Sequence, residues 1–244
     1  MAIQYTPLEP VEVASIYGNK PLPKRMAKCT PDTAEALAGL VADLRSLGFE
    51  LRLSDLFRSY EMQKAAHLDY VERRKKAYSP PPGGSMHEAG RAMDIDLASM
   101  GVPLKRFWEI AKGRGFTPII DTPDSSRSEA WHFDCRGSHG TVYKYVRSGK
   151  AGEAMAPYTQ MAQSGISAIG VRLDAVPSQN GAFIQGALIR LGLDPGRIDG
   201  IVGSRTLAAL KDAGSLAGPK ELALHAEFLS AQLAAQFAAE YALH

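Results

Sequence analysis

Apolar positions in this chain follow two periods, one of three to four residues and one of two. From Pro31, with Thr30 placed as an N-cap, apolar residues fall at Ala34, Leu37, Leu40, Val41, Leu44 and Leu47 before Gly48. That spacing predicts a helix that buries one face and stops at the glycine. The run FELRLSDLF (49–57) alternates well enough for a strand, and helical spacing returns from Tyr60 to about Lys76. RAMDIDLA sets Met93, Ile95 and Leu97 against Asp94 and Asp96, the pattern of a half-buried strand. Leu104 to Lys112 reads as a short helix ending at Gly113. AWHFDC alternates again, with Trp131, Phe133 and Cys135 on one face and His132 and Asp134 on the other.

Beyond about residue 178 only the helical period remains: Phe183 to Leu191, Ser204 to Lys211, and a third stretch from about Pro219 to Leu243. Between the two regimes lies SGKAGEAMAPYTQMAQSGISA, small, polar and punctuated by Gly and Pro, which reads as a linker. The division expected is therefore 1–155, a linker over 156–177, and a helical region over 178–244. Strands and helices alternate irregularly in the first region. That predicts an α+β fold, a small antiparallel sheet with flanking helices, followed by an all-α three-helix domain.

Composition narrows the field. Hydrophobic residues make up 45% and charged residues 22%, enough apolar material for a packed core and too much for a disordered chain. With 28 Lys+Arg against 26 Asp+Glu the net charge is +2, which gives no electrostatic footprint for nucleic acid. Cys29 and Cys135 form no Cys-x-x-Cys pair, so neither a structural zinc ribbon nor a disulfide framework is expected. One bridge between them and two buried thiols both remain open. The N-terminal MAIQYTPLEP lacks the basic and apolar regions of a secretory leader. No stretch approaches the ~20 apolar residues of a membrane span.

Two histidines and a carboxylate are the donor set of a catalytic zinc, which takes three protein ligands and leaves a position for water. His87 and Asp94 fall in Ser85-Met86-His87-Glu88-Ala89-Gly90-Arg91-Ala92-Met93-Asp94, and His132 stands on the polar face of a later strand. Glu129, three residues before His132, could accept the proton of that water. The residues alone leave the bland reading open: a strand histidine is more often hydrogen-bonded than ligating, and Asp94 and Asp96 could be solvated. Glu88 competes with its neighbour His87 as a ligand. Asp96 is the better candidate for orienting a ligand histidine and Asp134 the weaker one. Glu72-Arg73-Arg74-Lys75-Lys76 reads as the solvated end of a helix, or a contact for an anionic polymer. His67 and His225 are expected to be structural, and His139 exposed.

The full string is more specific. Ser85-x-His87-x-x-Gly90-x-Ala92-x-Asp94 followed by Glu129-x-Trp131-His132 resembles the zinc signature of the D-alanyl-D-alanine carboxypeptidase family. That family includes vancomycin-resistance carboxypeptidases and the L-alanyl-D-glutamate endopeptidases of phage lysins. Phe57-Arg58-Ser59-Tyr60-Glu61-Met62-Gln63 is similar to its Arg-Ser-x-x-x-Gln segment. The resemblance, over about residues 25–150, implies one catalytic Zn2+ held by His87, Asp94 and His132, with Glu129 as base. It also implies substrate contacts from Ser85 and Gln63 and a cationic role for Arg58, at an oxyanion or at a substrate carboxylate. Some relatives carry a further histidine two residues before the last ligand. Ala130 stands there in this chain, leaving Glu129 as the proton carrier. The fold implied is that of hedgehog and D-Ala-D-Ala peptidase domains.

Gly192-Leu193-Asp194-Pro195-Gly196-Arg197-Ile198-Asp199-Gly200-Ile201-Val202-Gly203 and the helix after it resemble the peptidoglycan-binding domains of wall hydrolases. The match covers about 180–212, and the long tail departs from the shortest version. A helical bundle serving stability or dimerisation is the alternative. Together these resemblances imply a monomeric zinc peptidase cutting peptidoglycan stem peptides, with the wall polymer as partner and neither nucleic acid nor membrane insertion. An L-alanyl-D-glutamate endopeptidase of the endolysin kind is favoured slightly over a D-Ala-D-Ala carboxypeptidase. The expected place of action is the bacterial wall, periplasmic or extracellular, reached by phage-type release or as a processed or truncated chain. The other class of reading is a non-catalytic wall-binding or signalling protein on the same fold.

Overall fold

Thr30 adopts extended backbone and Pro31 opens the first helix, α1 (Pro31–Ser46), with Leu37, Leu40 and Leu44 buried along one side. Proline suits that position because its missing N–H would have no partner there. The computed structural model describes residues 2–18, 20–152 and 156–244. Strands β1 (Glu9–Pro10) and β2 (Lys28–Cys29) pair antiparallel ahead of α1. The expected strand over 49–57 shortens to β3 (Leu53–Asp55), and α2 (Tyr60–Val71) stops before the charged run. Arg73 takes a left-handed backbone (φ 60°), which turns the chain off the helix axis.

The main sheet adds β4 (Ala92–Ile95), β5 (Phe116–Pro118) after α3 (Leu104–Gly113), and β6 (His132–Cys135). Its order is β3-β4-β6-β5 and every pair is antiparallel, the α+β arrangement expected. In the β4–β6 register Asp94 sits opposite His132 and Ala92 opposite Asp134. Strand alternation then sends Met93, Ile95, Phe133 and Cys135 into a core with α1 and α3. Asp94, His132 and Asp134 face the other way. Cys29 and Cys135 are both buried free thiols.

On that second face lie α4 (Gly140–Arg147) and α5 (Pro157–Ala168). The stretch over 157–168, expected as part of a linker, is a helix buried from Gln160 to Ala168. Met161 and Ile166 share a core with Ala89, Ala92, Val142 and Val146 on one side and Ala182 and Ile189 on the other. Its small residues permit this: a Cβ added at Gly165 would lie 2.7 Å from Ala89 Cβ. Composition misled here because Gly, Ala and Ser suit close helix packing as well as they suit spacers. The expected boundary at residue 155 lies outside the described residues.

Helices α6 (Gln179–Arg190), α7 (Ser204–Asp212) and α8 (Leu222–Gln236) form a third core around Phe183, Leu188, Leu210, Leu229 and Leu233. Gln185 accepts from the backbone N–H groups of Asp199 and Gly200, tying the Asp-Gly loop to α6. A Cβ at Gly181 would come within 2.3 Å of Gly200 O, so only glycine allows that approach. The tail does not continue as one helix to Leu243. It breaks at Phe237 into a single 3-10 turn, Ala238–Glu240, which buries Glu240 against the first half of the chain. There the Glu240 carboxylate accepts from Arg190 Nη2 (2.6 Å) and Ser138 N (2.9 Å), and pairs with Arg91 Nη2 (3.2 Å). Arg91 also forks onto Asp32 at 2.7 and 3.0 Å. His139, expected exposed, is buried beside this network with Nδ1 2.9 Å from Ser164 Oγ. No described helix is long and apolar enough to cross a membrane.

Candidate metal centre

Ser85 to Arg91 forms a compact turn that sets the first ligand. Arg91 N donates to Met86 O and Gly90 N to His87 O, the paired bonds that end a helical turn, and Gly90 supplies the left-handed residue (φ 66°) this closure needs. The chain leaves the turn directly into β4, which carries Asp94 seven residues after His87. His132 arrives from the neighbouring strand by the register described above. All three side chains are buried.

Their donor atoms converge. Asp94 Oδ1 lies 3.2 Å from His87 Nε2 and 2.9 Å from His132 Nδ1, and the three ligand atoms fall within 4.8 Å of one another. Each imidazole has its other nitrogen held from behind. His87 Nδ1 is 2.7 Å from Leu56 O, and His132 Nε2 is 3.0 Å from Asp134 Oδ1. Carbonyl or carboxylate partners of this kind fix the tautomer of a ligating histidine. The electrostatics favour a cation: burial alone would push His132 down, but Asp134 and Asp94 outweigh it and raise it to about 10. Burial would likewise raise Asp94, while His87 and His132 hold its carboxyl well below the usual range. The donor set, its convergence and its backing therefore fit a metal ion.

The cluster opens into a cavity of about 340 Å³ that also exposes Arg58, Ser85, Glu129 and Lys75. Glu129 is brought into it by a left-handed backbone (φ 68°) that closes a turn onto His132 N. Burial is the main cause of its raised carboxyl pKa, with Asp94 adding and His132 opposing. Arg58 Nε donates to Asp55 Oδ2 (2.5 Å), Nη1 to Gln63 Oε1 (3.3 Å) and Nη2 to Asp94 Oδ2 (3.3 Å). Burial would lower this guanidinium, but Asp55 and Asp94 reverse the effect and keep it charged. Ser85 lines the cavity while its Oγ accepts from His87 N.

Gln63 does not reach the cavity. It is fully buried, donating to Ser79 Oγ (3.1 Å) and Pro80 O (2.6 Å), so it anchors the irregular wall segment over 79–81 and steadies Arg58. Glu88 turns away from the cluster to accept from Gly83 N and Ser85 N, and burial pushes it up to about 7. The two aspartates exchange the parts expected of them: Asp96 caps a turn at Ala98 N, and Asp134 backs His132. His67 braces Ser79 O, and His225 lies between Ser215 and Gly218.

Among the cavity residues that the sequence pattern did not single out are Lys75 and Tyr158. Lys75 leaves the charged run to line the cavity, and Tyr158 enters from α5. Nothing in a basic run marks which lysine turns inward, whereas Pro157 followed by seven residues without glycine is a helix start that could have placed Tyr158.

His87 from the turn before β4, with Asp94 and His132 from the polar face of the sheet, forms a buried cluster that could hold a metal ion. Residues 26–114 match the family model VanY: D-alanyl-D-alanine carboxypeptidase, and this part of the chain is VanY-like. The matched stretch contains Arg58, Gln63, Ser85, His87 and Asp94, and ends before Glu129 and His132. No curated protein matches the chain. Among solved structures, the LdcB LD-carboxypeptidase, described as revealing the molecular basis of peptidoglycan recognition, is 23% identical. That likeness covers 54% of this chain and 69% of that one, with a TM-score of 0.42. An L,D-carboxypeptidase DacB from Streptococcus pneumonia is also 23% identical, over 50% of this chain and 79% of that one, at a TM-score of 0.35. With scores this low, the two likenesses carry nothing further.

Proposed function

We propose that this protein is a zinc-dependent peptidase that hydrolyses the peptide stems of peptidoglycan at the bacterial cell wall. The observation that carries the reading is the convergence of His87, Asp94 and His132 on Asp94 Oδ1, inside a cavity that also holds Glu129. Zinc bound there would supply a positive charge to polarise the scissile carbonyl and to acidify a water. Glu129 stands within the same walls to take the proton of the attacking water and to hand it to the leaving amine. Its desolvated, raised carboxyl suits a group that must both accept and release a proton. Arg58, fixed by Asp55 and Asp94, presents positive charge to the developing oxyanion. Ser85 and the walls formed by Tyr78 and Trp131 would hold the stem.

The choice of bond follows from charge. Lys75 lines the cavity half-buried; its backbone N–H is bonded to Asp69 O, but among the described residues its ammonium has no hydrogen bond or ion pair. Burial and the nearby Arg58 depress its pKa, a cost that a substrate carboxylate would relieve. This favours a stem with a free carboxyl end, hence carboxypeptidase action, over the internal L-alanyl-D-glutamate bond. The helices beyond α5, with their Asp199-Gly200 loop, are proposed as a wall-binding region. Mass spectrometry of products from purified muropeptides, with Glu129→Ala as control, tests the whole. Loss of a terminal residue by the wild type alone is expected. Release of an L-alanine end would reassign it as an endopeptidase. Full activity in a zinc-loaded Glu129→Ala protein would refute the mechanism.

A further inference from the structure

Tyr158 lies in the stretch that the sequence marks as spacer, yet its hydroxyl is 3.2 Å from His132 Nε2 and 3.1 Å from Asp134 Oδ1. With His132 Nε2 itself 3.0 Å from Asp134 Oδ1, the three groups close a triangle behind one donor of the metal cluster. With a metal on Nδ1, the nitrogen His132 presents toward Asp94 and the cluster, the remaining ring proton sits on Nε2 and points at Asp134 and the Tyr158 oxygen. The phenol then donates its own proton to Asp134 Oδ1.

The Asp134 carboxylate depends on this donor. Its side chain is fully buried, and among the described residues Oδ2 has no hydrogen-bond partner. Arg136 Nε stands 3.6 Å off, beyond hydrogen-bonding reach. His132 and Tyr158 are thus the two hydrogen-bond donors that hold the carboxylate in place. Tyr158 sits at the start of α5, whose remaining turns are locked between Ala89, Ala92 and Val142 on one side and Ala182 and Ile189 on the other. The hydroxyl is delivered by the helical half of the molecule to a ligand carried by the sheet.

We infer that Tyr158 is a positioning residue for the metal centre: through Asp134 it fixes the tautomer and tilt of His132, so the helical half completes the site. This rests on the zinc-binding reading above. The test is Tyr158→Phe in the intact chain, which keeps the ring and removes the hydroxyl. Zinc affinity is measured by competition with a chromophoric chelator, and the cobalt-substituted protein is examined for its visible spectrum. The zinc dissociation constant is expected to rise by about 10- to 100-fold, the usual range for such partners, with a shifted cobalt band and a metal-free melting temperature lower by no more than the few degrees that losing one buried hydrogen bond costs. Asp134→Asn should weaken zinc at least as much, and adding Tyr158→Phe to it should cost little more. Zinc bound by Tyr158→Phe within twofold of wild type, with an identical cobalt spectrum, overturns the inference while leaving the metal reading intact. A wild-type protein that binds no zinc overturns both.

Discussion

Glu240 is the residue whose loss should be felt farthest from its place in the chain. Its carboxylate serves two guanidiniums, Arg190 at 2.6 Å and Arg91 at 3.2 Å, whose side chains are each only 1% exposed. Glu240→Gln keeps the shape and removes the charge. Arg91 retains its fork on Asp32, but Arg190, left with Ser138 Oγ at 2.7 Å, the Phe237 ring and a neutral amide, becomes a buried cation that has lost its counter-ion. Breaking a buried pair from one side costs about 3–5 kcal/mol. In a chain of this size that corresponds to a melting temperature lower by roughly 6–20 °C. Thermal unfolding of the metal-free wild type and variant at pH 7 measures it. The pH dependence supplies a second check. Burial would raise Glu240, but Arg91 and Arg190 hold its folded-state pKa far below the carboxylate range. A depressed carboxylate contributes its stability above the unfolded pKa of about 4.3 and loses it progressively as pH falls below that value. The gap between wild type and variant should therefore be full at pH 7 and narrow between about pH 5 and pH 3. A difference below about 1 kcal/mol, the worth of a surface pair, or a gap that ignores acid, would refute the reasoning.

Lys75→Ala should raise KM for stems with a free carboxyl end by about 10- to 100-fold, as expected for losing a charge-assisted bond, and leave kcat nearly unchanged. Steady-state kinetics on free and amidated stems reads this, and equal losses on both would refute it. Gly181→Ala forces a methyl against Gly200 O and should destabilise the molecule by about 1–3 kcal/mol, seen in chemical unfolding, while zinc affinity is preserved. Gly90→Ala meets Leu8 Cδ2 at 2.6 Å in a left-handed turn. It should weaken zinc binding as well as stability, because the same turn aims His87.

Three of the four strands of the main sheet, though not β5, were legible because period-two strands carry their own geometry. Once Met93 and Phe133 are assigned to a core, Asp94 and His132 must share the opposite face, and only their register remained to be found. The helices α1, α3, α6 and α7 were legible for the same reason. The second-face helices were not. α4 was passed over behind a glycine-bearing turn, and α5 is buried on nearly every side, so it shows no polar face to set off an apolar one. Asp96 and Asp134 illustrate a different limit. Asp134 stands on the polar face of β6 while Asp96 falls just past the end of β4, and where that strand ends is decided by its neighbours, contacts too remote for spacing to reveal. The clasp at Glu240 is remoter still, joining residues 32, 91, 190 and 240.

Glu129 is one of two described non-glycine residues with a left-handed backbone, and it is the one placed inside the cavity. A bulky side chain in that conformation sits about 1 kcal/mol above its relaxed state. Asparagine tolerates the same backbone, so Glu129→Asn should melt a few degrees higher than wild type even as it abolishes hydrolysis. A search for thermostable variants without a screen for activity would then select against the enzyme itself. With Glu129 as the base proposed above, the turn at residue 129 sets durability against chemistry, and hardening of this protein has to begin elsewhere.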